Sequence, residues 1–210
     1  MPLTDKVFIE SSTLLAASVY FGKYVHKSYD SSKSLFKLFG KNIPLQIGWS
    51  SDTVTSQAKK TLEKVIEDVI SEAEGTRFRT EKSIVFFDLM SKIKDDSEDR
   101  LIANIRVLTK MPIDEAAVTS IRACEVVPFF EKILEERKKE AKFSVSGIKL
   151  PWSLKKAITR TNTPYYKDMP DKTDIRIFAE TIYLKRTFIA AGRLFIASLD
   201  THFSPQGKIP

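Results

Sequence analysis

Cysteine, histidine and the residues that favour tight turns are all scarce in this chain of 210 residues. The single cysteine, Cys124, excludes an intrachain disulfide. Two histidines, His26 and His202, are too few for a histidine-based metal centre without help from carboxylates. Seven glycines, three asparagines and three glutamines leave few residues that favour positive φ. This scarcity argues against an all-β protein built from tight hairpins.

The chain also lacks a long apolar run and a signal-like start. The apolar run 188–199 is broken by Gly192 and Arg193 and is too short to span a bilayer. Residues 1–6 do not show the basic start and continuous apolar stretch of a secretory signal. One thiol fits a reducing compartment. We therefore expect a cytoplasmic protein, or one that is cytoplasmic and nuclear, without a transmembrane segment.

Apolar residues recur at helical spacing through most of the chain, and the hydrophobic content of 42% is typical of a folded protein. The clearest segment is 53–74, where charged residues fill the face opposite the apolar one. We expect an all-α or nearly all-α fold, a compact bundle of about six to eight helices, with a short strand at 143–149 as an option. We expect one domain, and a division into lobes of about 1–75 and 76–210 stays open.

Capping residues and breakers predict the helices of the first half. The N-terminal residues can cap a first helix over about 5–25. A short basic helix, 33–39, follows, and residues 41–52 are predicted to form a loop. The stretch 76–90 is compatible with a strand or a helix. We favour the helix because no partner strand is evident.

In the second half, Ser97 is placed to cap a helix over 98–109, and Asp114 is placed to begin another. Pro128 must kink or split that helix, because an interior proline removes a hydrogen bond and clashes with the preceding turn. The last strong segment, 174–199, is apolar around most of its circumference. This predicts a buried helix at the centre of the fold.

Positive charge is concentrated in two segments on either side of a mildly acidic middle. The net charge is +7. Residues 141–167 carry six basic groups and no acidic one, and residues 11–51 carry five lysines against Asp30 alone. Residues 52–140 carry 16 basic and 19 acidic groups. An uneven distribution of this kind is typical of proteins that meet an anionic partner.

The segment 142–167 is the strongest functional candidate, because it interleaves cations with aromatic rings. Lysine and arginine bind phosphates by displacing counterions, and aromatic rings offer stacking surfaces for unpaired bases. The alternative is an exposed loop whose aromatic side chains anchor it to the core. The candidate nucleic-acid-binding residues are Lys149, Trp152, Lys155, Lys156, Arg160, Tyr165, Tyr166 and Lys167.

A second basic candidate contains Lys33, Lys37 and Lys41, which recur every four residues and would therefore line one face of a helix. Such a face could meet nucleic acid, an anionic membrane surface or an acidic protein. An ordinary exposed helix face explains the same spacing.

Basic residues in the otherwise apolar last segment have two interpretations. Arg176, Lys185, Arg186 and Arg193 either line a groove or form ion pairs with the acidic middle of the chain. We favour ion pairs.

The remaining motifs give no sign of catalysis. Acidic residues at 95–99 lack the spacing and glycine of a calcium loop, and we interpret them as favouring a helix N-terminus. Glu136 and Lys138 fit half of a metal-dependent nuclease motif that lacks its second half. Cys124 is expected in the core. No nucleophile elbow or phosphate-binding glycine loop is present. We therefore predict a protein that is not an enzyme and has no metal or cofactor.

One local similarity concerns Asp114–Val118, Ile121–Ala123, Phe143–Gly147 and Trp152. In order and spacing these residues look like the last helix and tail of rod-shaped plant-virus coat proteins. The similarity covers about 40 of the 210 residues, and this chain continues where such coats end. It implies an assembling role that coats nucleic acid.

Two functional hypotheses follow. The first is a non-enzymatic protein that binds RNA or single-stranded nucleic acid through its two basic segments and self-associates, as a nucleocapsid or coat subunit does. The second is a scaffold that docks on an anionic membrane surface or an acidic protein. An enzyme would require a histidine, a carboxylate and a hydroxyl brought together in a cleft.

Overall fold

The structure is a computed structural model that describes residues 5–19, 28–41, 46–75, 80–133, 135–136, 170–200 and 203. The described chain is mostly helical and contains a small sheet of four parallel strands. The helices are α1 (Ser11–Ser18), α2 (Tyr29–Lys41), α3 (Asp52–Gly75), α4 (Thr80–Arg106), α5 (Glu115–Ile121) and α6 (Lys172–Thr187). The strands are β1 (Lys6–Ile9), β2 (Gly48–Ser50), β3 (Thr109–Lys110) and β4 (Leu194–Ala197). The prediction of a mainly helical fold is confirmed, but the fold is mixed because of the sheet.

The sheet has the strand order β3-β2-β1-β4, and all neighbouring strands are parallel. Its strands are two to four residues long. Parallel strands are joined by crossover connections and need no hairpin turns. The scarcity of glycine and asparagine therefore excluded hairpins without excluding this sheet. Helices α1 and α2 connect β1 to β2, and α3 and α4 connect β2 to β3.

Two of the predicted helices are shorter than expected, because a strand occupies part of each predicted span. Residues 6–9 form β1, so the first helix begins only at Ser11. The last helix ends at Thr187, and Leu194–Ala197 is a strand rather than a helical turn. Gly192, at φ 93°, lies in the turn that precedes this strand, a conformation that side chains with a Cβ rarely adopt.

The long helices α3 and α4 follow the sequence pattern with one correction. The predicted helix 53–74 is confirmed as Asp52–Gly75, and the helical alternative for 76–90 is confirmed from Thr80 onward. Ser97 does not cap a separate helix. It lies fully buried inside α4, which runs without a break from Thr80 to Arg106.

Helix α2 is also longer than its predicted span, and the predicted loop 41–52 contains β2. Gly40 lies inside α2, which continues to Lys41. Gly48 in β2 is packed so closely that an added Cβ would meet Phe39 Cδ2 at 2.9 Å and Leu108 Cδ2 at 3.0 Å. The absence of a Cβ at Gly48 therefore lets Phe39 of α2 and Leu108 pack directly against β2.

The chain divides into two compact units, Met1–Pro112 with Phe188–Leu199 and Ile113–Thr187 with Asp200–Pro210. We call them unit 1 and unit 2. Unit 1 contains the sheet and α1–α4, and its buried side chains include Phe8, Ile9 and Leu14. Whether the chain forms a single domain with one shared core stays a prediction.

Unit 2 has its own apolar core on α5 and α6. Its buried members are Val118, Ile121, Val126, Phe130 and Ala179. Asp114 caps α5 as predicted, since its carboxylate accepts hydrogen bonds from Ala116 N and Ala117 N.

The predicted kink or split at Pro128 does not interrupt the helix, because helical residues continue on both sides of this proline. The chain widens into a π-helical turn over Arg122–Val126, two residues before Pro128. Proline cannot donate the usual backbone hydrogen bond, and its ring crowds the preceding turn, so a locally wider helix accommodates it.

Candidate functional site at the carboxyl edge of the sheet

The carboxyl ends of the four strands meet at one edge of the sheet in unit 1. Strand β2 lies on one side of β1 and β4 lies on the other, so the direction of winding reverses between β1 and β4. In open parallel α/β sheets, ligands bind outside the carboxyl ends of the strands at such a reversal. The edge of β1 and β4 is therefore the place where the topology favours a binding site.

The strand register brings four residues into one row at this edge. Ile9 pairs with Ala197, Phe8 pairs with Trp49, and Ser50 pairs with Lys110. The residue that directly follows each strand is Glu10 after β1, Ser51 after β2, Met111 after β3 and Ser198 after β4. Polar residues thus follow three of the four strands at the same level.

Glu10 is the centre of a hydrogen-bonded cluster, although its side chain is only 3% exposed. Its Oε2 accepts hydrogen bonds from Ser12 N at 2.9 Å and from Ser198 Oγ at 3.0 Å. The hydroxyls of Ser11 and Ser12 also donate to the carboxylate. A buried carboxylate needs such donors to offset the loss of water. We call Glu10, Ser11, Ser12 and Ser198 the edge cluster.

The edge cluster has a definite polarity. The hydroxyls of Ser11, Ser12 and Ser198 all donate to the Glu10 carboxylate. Ser12 Oγ in turn accepts a hydrogen bond of 2.9 Å from Leu199 N. A hydroxyl has one proton and two lone pairs, so hydroxyls that have donated to Glu10 can only accept from a further group. Any further partner of these hydroxyls must therefore be a hydrogen-bond donor, and Ser12 Oγ and Ser198 Oγ themselves lie 3.4 Å apart.

The N-terminus of α1 is occupied by the chain's own carboxylate. Glu10 is the N-cap of α1, and its side chain accepts from Ser12 N. In nucleotide-binding folds, a glycine-rich turn at the corresponding place leaves this N-terminus open to a phosphate. Here a negative charge already fills it. A ligand phosphate is therefore disfavoured at α1, whereas a neutral donor is not.

Two further contacts fix the geometry of the edge. Thr13 Oγ1 donates to Ala197 O at 3.0 Å and so holds the first turn of α1 against the end of β4. Glu10 N donates to the same carbonyl, also at 3.0 Å. On the other side of β1, Ser50 Oγ donates to Ile9 O at 3.2 Å. The backbone around Glu10 is thus held from both neighbouring strands.

An ion pair lies at the same edge, at the ends of β2 and β3. Lys110 Nζ is 3.0 Å from Asp52 Oδ1, and the two side chains are 60% and 71% exposed. Asp52 is the first residue of α3. Strands in a sheet are about 4.8 Å apart, so Lys110 on β3 stands roughly two strand spacings from β1.

Three of the predicted nucleic-acid-binding residues lie in the described part of the chain. Lys33, Lys37 and Lys41 are exposed on α2. Lys33 Nζ lies 5.2 Å from the centre of the Tyr29 ring. Within the described residues, none of the three lysines forms an ion pair. The structure brings them together on one helix face, as their spacing predicts.

The other predicted binding residues and several alternatives lie outside the described residues. The strand option at 143–149 and the two histidines, His26 and His202, also fall there. The binding residues concerned are Lys149, Trp152, Lys155, Lys156, Arg160, Tyr165, Tyr166 and Lys167.

Arg176 and Arg186 form ion pairs with the acidic middle of the chain, which agrees with the interpretation we favoured, whereas Arg193 pairs with Asp5 near the N-terminus. Arg176 contacts Glu115 at 2.6 Å and the fully buried Glu180 at 2.9 Å. The hydrogen bond to Glu115 raises the pKa of the Arg176 guanidinium, and Glu180 adds to this, while burial opposes it.

Two more exposed arginines are paired in the same way, each within its own unit. Arg186 donates two hydrogen bonds of 2.6 Å to Glu125, and these lower the pKa of the Glu125 carboxyl. Arg193 contacts Asp5 at 2.8 Å and likewise lowers the pKa of that carboxyl. These cations are matched by carboxylates, so they do not line an anion-binding groove.

Two expectations about individual residues were wrong. Cys124 is exposed rather than buried, because it lies on the π-helical turn that shifts the helical register. Asp95 and Asp96 do not stand at a helix N-terminus, since α4 continues through them.

Among the residues that the structure describes, no three His, Cys, Asp or Glu side chains are grouped so that they could hold a metal ion. No helix in this part of the chain has the length and apolar character needed to cross a bilayer.

A shallow groove between α3 and α4 is a weaker candidate. It encloses about 220 Å³ and is lined by Lys59, Leu62, Glu63, Glu98, Leu101 and Ile102. Leu62 and Leu101 form an apolar floor, and the charged residues stand at the rim. The groove lacks the convergent polar groups that orient a small ligand.

A scan against protein-family models and searches of curated proteins and of solved structures returned no match to this chain.

The edge cluster was missed by the sequence analysis. Its members Glu10 and Ser198 are 188 residues apart and come together only because β1 pairs with β4. One local signal was available: the apolar run Val7–Ile9 ends in Glu10, Ser11 and Ser12, which is the pattern of a buried strand that turns directly into a helix.

Proposed function

We propose that unit 1 binds a small hydroxyl-bearing ligand of the nucleoside type at the carboxyl edge of β1 and β4. The observation that carries this proposal is the polarity of the edge cluster. Its serine hydroxyls donate to Glu10, so any further partner of these hydroxyls must be a hydrogen-bond donor, and the cluster lies at the point where the winding of the sheet reverses. The hydroxyls of a ribose are donors of the kind that such acceptors bind.

Strand order supports a nucleoside in particular. The order 3-2-1-4 is that of the first four strands in doubly wound folds that bind dinucleotides, in which an acidic side chain accepts from the ribose hydroxyls. This support is an analogy of topology, and the site itself must supply the chemistry. Ser12 and Ser198, which are only partly buried, are the groups through which a ligand would reach the cluster.

The test is a calorimetric titration with two ligands that differ only in their donors. Adenosine carries the 2′ and 3′ hydroxyls, and 2′,3′-dideoxyadenosine lacks both. We expect saturable binding of adenosine and at least tenfold weaker binding of the dideoxy compound, because each lost hydrogen bond of about 1 kcal/mol weakens binding by about fivefold. Equal affinities, or no binding of either ligand, would contradict the proposal.

A matched pair of variants locates the site. Ser198→Ala removes one acceptor of the edge cluster, and we expect it to weaken adenosine binding about three- to tenfold. Ser34→Ala makes the same change at an exposed position of α2 and should leave binding unchanged. Circular dichroism of both variants establishes that the fold is retained. Equal effects of the two substitutions would place the ligand elsewhere.

We also propose a second function, binding of RNA or single-stranded DNA along α2. The supporting observation is the row of exposed lysines Lys33, Lys37 and Lys41, none of which forms an ion pair within the described part of the chain. Successive members are about 6 Å apart along the helix axis. Cations held in a row can contact successive phosphates of one strand.

Fluorescence anisotropy with a labelled single strand of uridines tests the second function. Replacing Lys33, Lys37 and Lys41 by Gln should weaken binding and flatten the salt dependence by about 2 in log–log slope, since each phosphate contact contributes about 0.7 for single strands. Replacing Lys59, Lys60 and Lys64 on α3 makes an equal charge change at exposed lysines and serves as the control. If both triple variants behave alike, only net charge matters and the proposal fails.

Two measurements on the purified protein distinguish the remaining hypotheses. A nucleocapsid or coat subunit is expected to elute as a large assembly that carries nucleic acid when purified without nuclease. A scaffold on anionic membranes is expected to float with vesicles that contain phosphatidylserine and not with neutral ones. A monomer that retains no nucleic acid at low salt and does not float would leave the ligand site of unit 1 as the remaining proposal.

A further inference from the structure

We infer that Arg100 and Asn104 of α4 are positioning residues for the edge cluster, whose geometry they fix through α1. Both side chains contact the C-terminal end of α1, and the edge cluster stands at its N-terminal end. The consequence for ligand affinity rests on the proposed function, whereas the consequence for the geometry of the cluster does not.

Ser18 is the residue at which α4 holds α1. Arg100 Nε donates a hydrogen bond of 3.0 Å to Ser18 O, and Asn104 Nδ2 donates one of 3.1 Å to Ser18 Oγ. Ser18 is fully buried, and its hydroxyl donates to Leu14 O at 2.7 Å. Arg100 and Asn104 are four residues apart and therefore lie on the same face of α4. Two neighbouring side chains of α4 thus fix the last turn of α1.

Electrostatics favours the same arrangement. The C-terminal end of a helix carries a partial negative charge, and its last carbonyls have no partner within the helix. Helix α1 has no basic residue in its last turn, so the guanidinium of Arg100 supplies a cation from another helix. At the opposite end, the Glu10 carboxylate caps the N-terminus. The two charges therefore hold α1 at both ends.

The short length of α1 couples its two ends. Its eight residues span about 12 Å. Backbone hydrogen bonds link residues four apart, so two helical turns move together. A shift of the last turn therefore displaces Ser11 and Ser12, whose hydroxyls donate to Glu10. Hydrogen bonds weaken steeply when they are misaligned, and a small displacement of α1 is sufficient to change the cluster.

The first experiment measures the geometry of the edge cluster by NMR of the full ¹⁵N-labelled chain without ligand. The Ser12 amide donates to Glu10 Oε2 at 2.9 Å, so its chemical shift and hydrogen exchange report on this end of α1. Arg100→Met should move the signal and speed its exchange about fivefold, and Asn104→Ala should have a smaller effect of the same kind. Arg100→Lys keeps the cation and should restore most of the wild-type behaviour. Arg106→Met, at an exposed position of the same helix, is the control and should change neither quantity.

The amides of α3 provide the internal reference for this experiment. Loss of global stability speeds the exchange of the protected amides of every element. We expect the exchange of α3 to stay at the wild-type rate in Arg100→Met. Equal acceleration of α3 and Ser12 would mean that Arg100 only stabilises the fold.

The second experiment measures the affinity for adenosine in a double-mutant cycle. Arg100→Met should weaken binding about three- to tenfold. In the Ser12→Ala background the same substitution should weaken binding less than about twofold, because Arg100 acts through the group that has been removed. A residue that only stabilises the fold would give the same factor in both backgrounds.

The outcomes distinguish this inference from the proposed function. If adenosine binds but Arg100→Met changes neither the Ser12 amide nor the affinity, or lowers the affinity equally in both backgrounds, the positioning role is wrong and the nucleoside site stands. If adenosine does not bind but Arg100→Met changes the Ser12 amide and not α3, the nucleoside proposal is wrong and the positioning role stands. If adenosine does not bind and the Ser12 amide is unchanged, both are wrong.

Discussion

Ser198 Oγ donates a hydrogen bond of 3.0 Å to Glu10 Oε2 and thereby joins the ends of β4 and β1, which are 188 residues apart in the chain. A second side-chain contact, from Thr13 Oγ1 to Ala197 O, links the same two ends. Strand β4 is thus the edge strand beside β1, and Ser198, which follows it, completes the edge cluster. The stability of unit 1 and its candidate site therefore depend on the same few groups.

Replacing Glu10 by Gln should destabilise the protein. The carboxylate accepts from Ser11, Ser12 and Ser198, and a Gln side chain would turn an NH₂ donor towards at least one of these donors. We expect the free energy of unfolding to fall by about 1–3 kcal/mol, measured by urea denaturation. Glu63→Gln, at an exposed position of α3, is the control. A loss below about 0.5 kcal/mol would show that the cluster is not a buried network.

Two glycines should respond to alanine in opposite directions. At Gly48 an added Cβ meets Phe39 and Leu108 at 2.9–3.0 Å, and both side chains are buried. We expect a loss of about 1–3 kcal/mol from this overpacking. At Gly40, inside α2, the nearest atom is Val107 Cγ1 at 3.9 Å, so alanine should be neutral or gain up to about 1 kcal/mol. Thermal unfolding of the two variants measures the difference, and the reverse order would contradict the packing of α2 on the sheet.

Ser97→Ala is expected to stabilise the protein. Ser97 is fully buried in the middle of α4, and its Oγ has no hydrogen-bond partner among the residues that the structure describes. Alanine removes this unsatisfied hydroxyl and is the better helix former, so we expect a gain of about 0.5–1.5 kcal/mol. The exposed Ser91 of the same helix is the matched control and should show only the smaller gain in helix propensity. Destabilisation by Ser97→Ala would mean that the hydroxyl has a partner.

The Glu125–Arg186 pair predicts a specific dependence on pH. Hydrogen bonds from Arg186 lower the pKa of Glu125 below its ordinary 4.5 in the folded protein. A lowered folded pKa gives stability that is present above the unfolded pKa and is lost as pH falls through the folded one. Glu125→Gln should therefore be less stable than the wild type at neutral pH, and the difference should shrink in acid below about pH 4.5.

Urea unfolding at pH 7 and at pH 3, together with NMR titration of the Glu125 carboxyl, measures this effect. Arg186→Met should reproduce the pH profile of Glu125→Gln, because each variant removes one half of the same pair. High salt should reduce the difference from the wild type, since the pair is exposed. A difference that grows on acidification has the wrong sign and contradicts the assignment.

The helices that could be predicted from the sequence are those with strong local signals. The helix 53–74 has an apolar face and a charged face, and its observed bounds are Asp52–Gly75. Asp114 caps α5 through its own side chain, and a π-helical turn precedes Pro128 in the helix that contains it. Each of these features depends on residues within a few positions of one another, so the sequence alone is sufficient.

The strands could not be predicted, because nothing local distinguishes them from buried helix. Strand β1 is Lys6 followed by three apolar residues, and β4 lies in a segment whose apolar residues also fit a helical spacing. Strands of two to four residues are too short to show the alternation that identifies a strand. Their pairing is a long-range property, and the edge cluster follows from it. The candidate site was therefore missed for the same reason as the sheet.

The most direct measurement for the central claim is an NMR titration of the ¹⁵N-labelled protein with adenosine. If the ligand binds at the carboxyl edge of β1 and β4, the backbone amides of Ser12 and Leu199 should shift in a saturable manner, since both amides donate to the edge cluster. The amides of the exposed face of α3 should not shift. Absence of shifts at Ser12 and Leu199, or saturable shifts confined to other elements, would contradict the account.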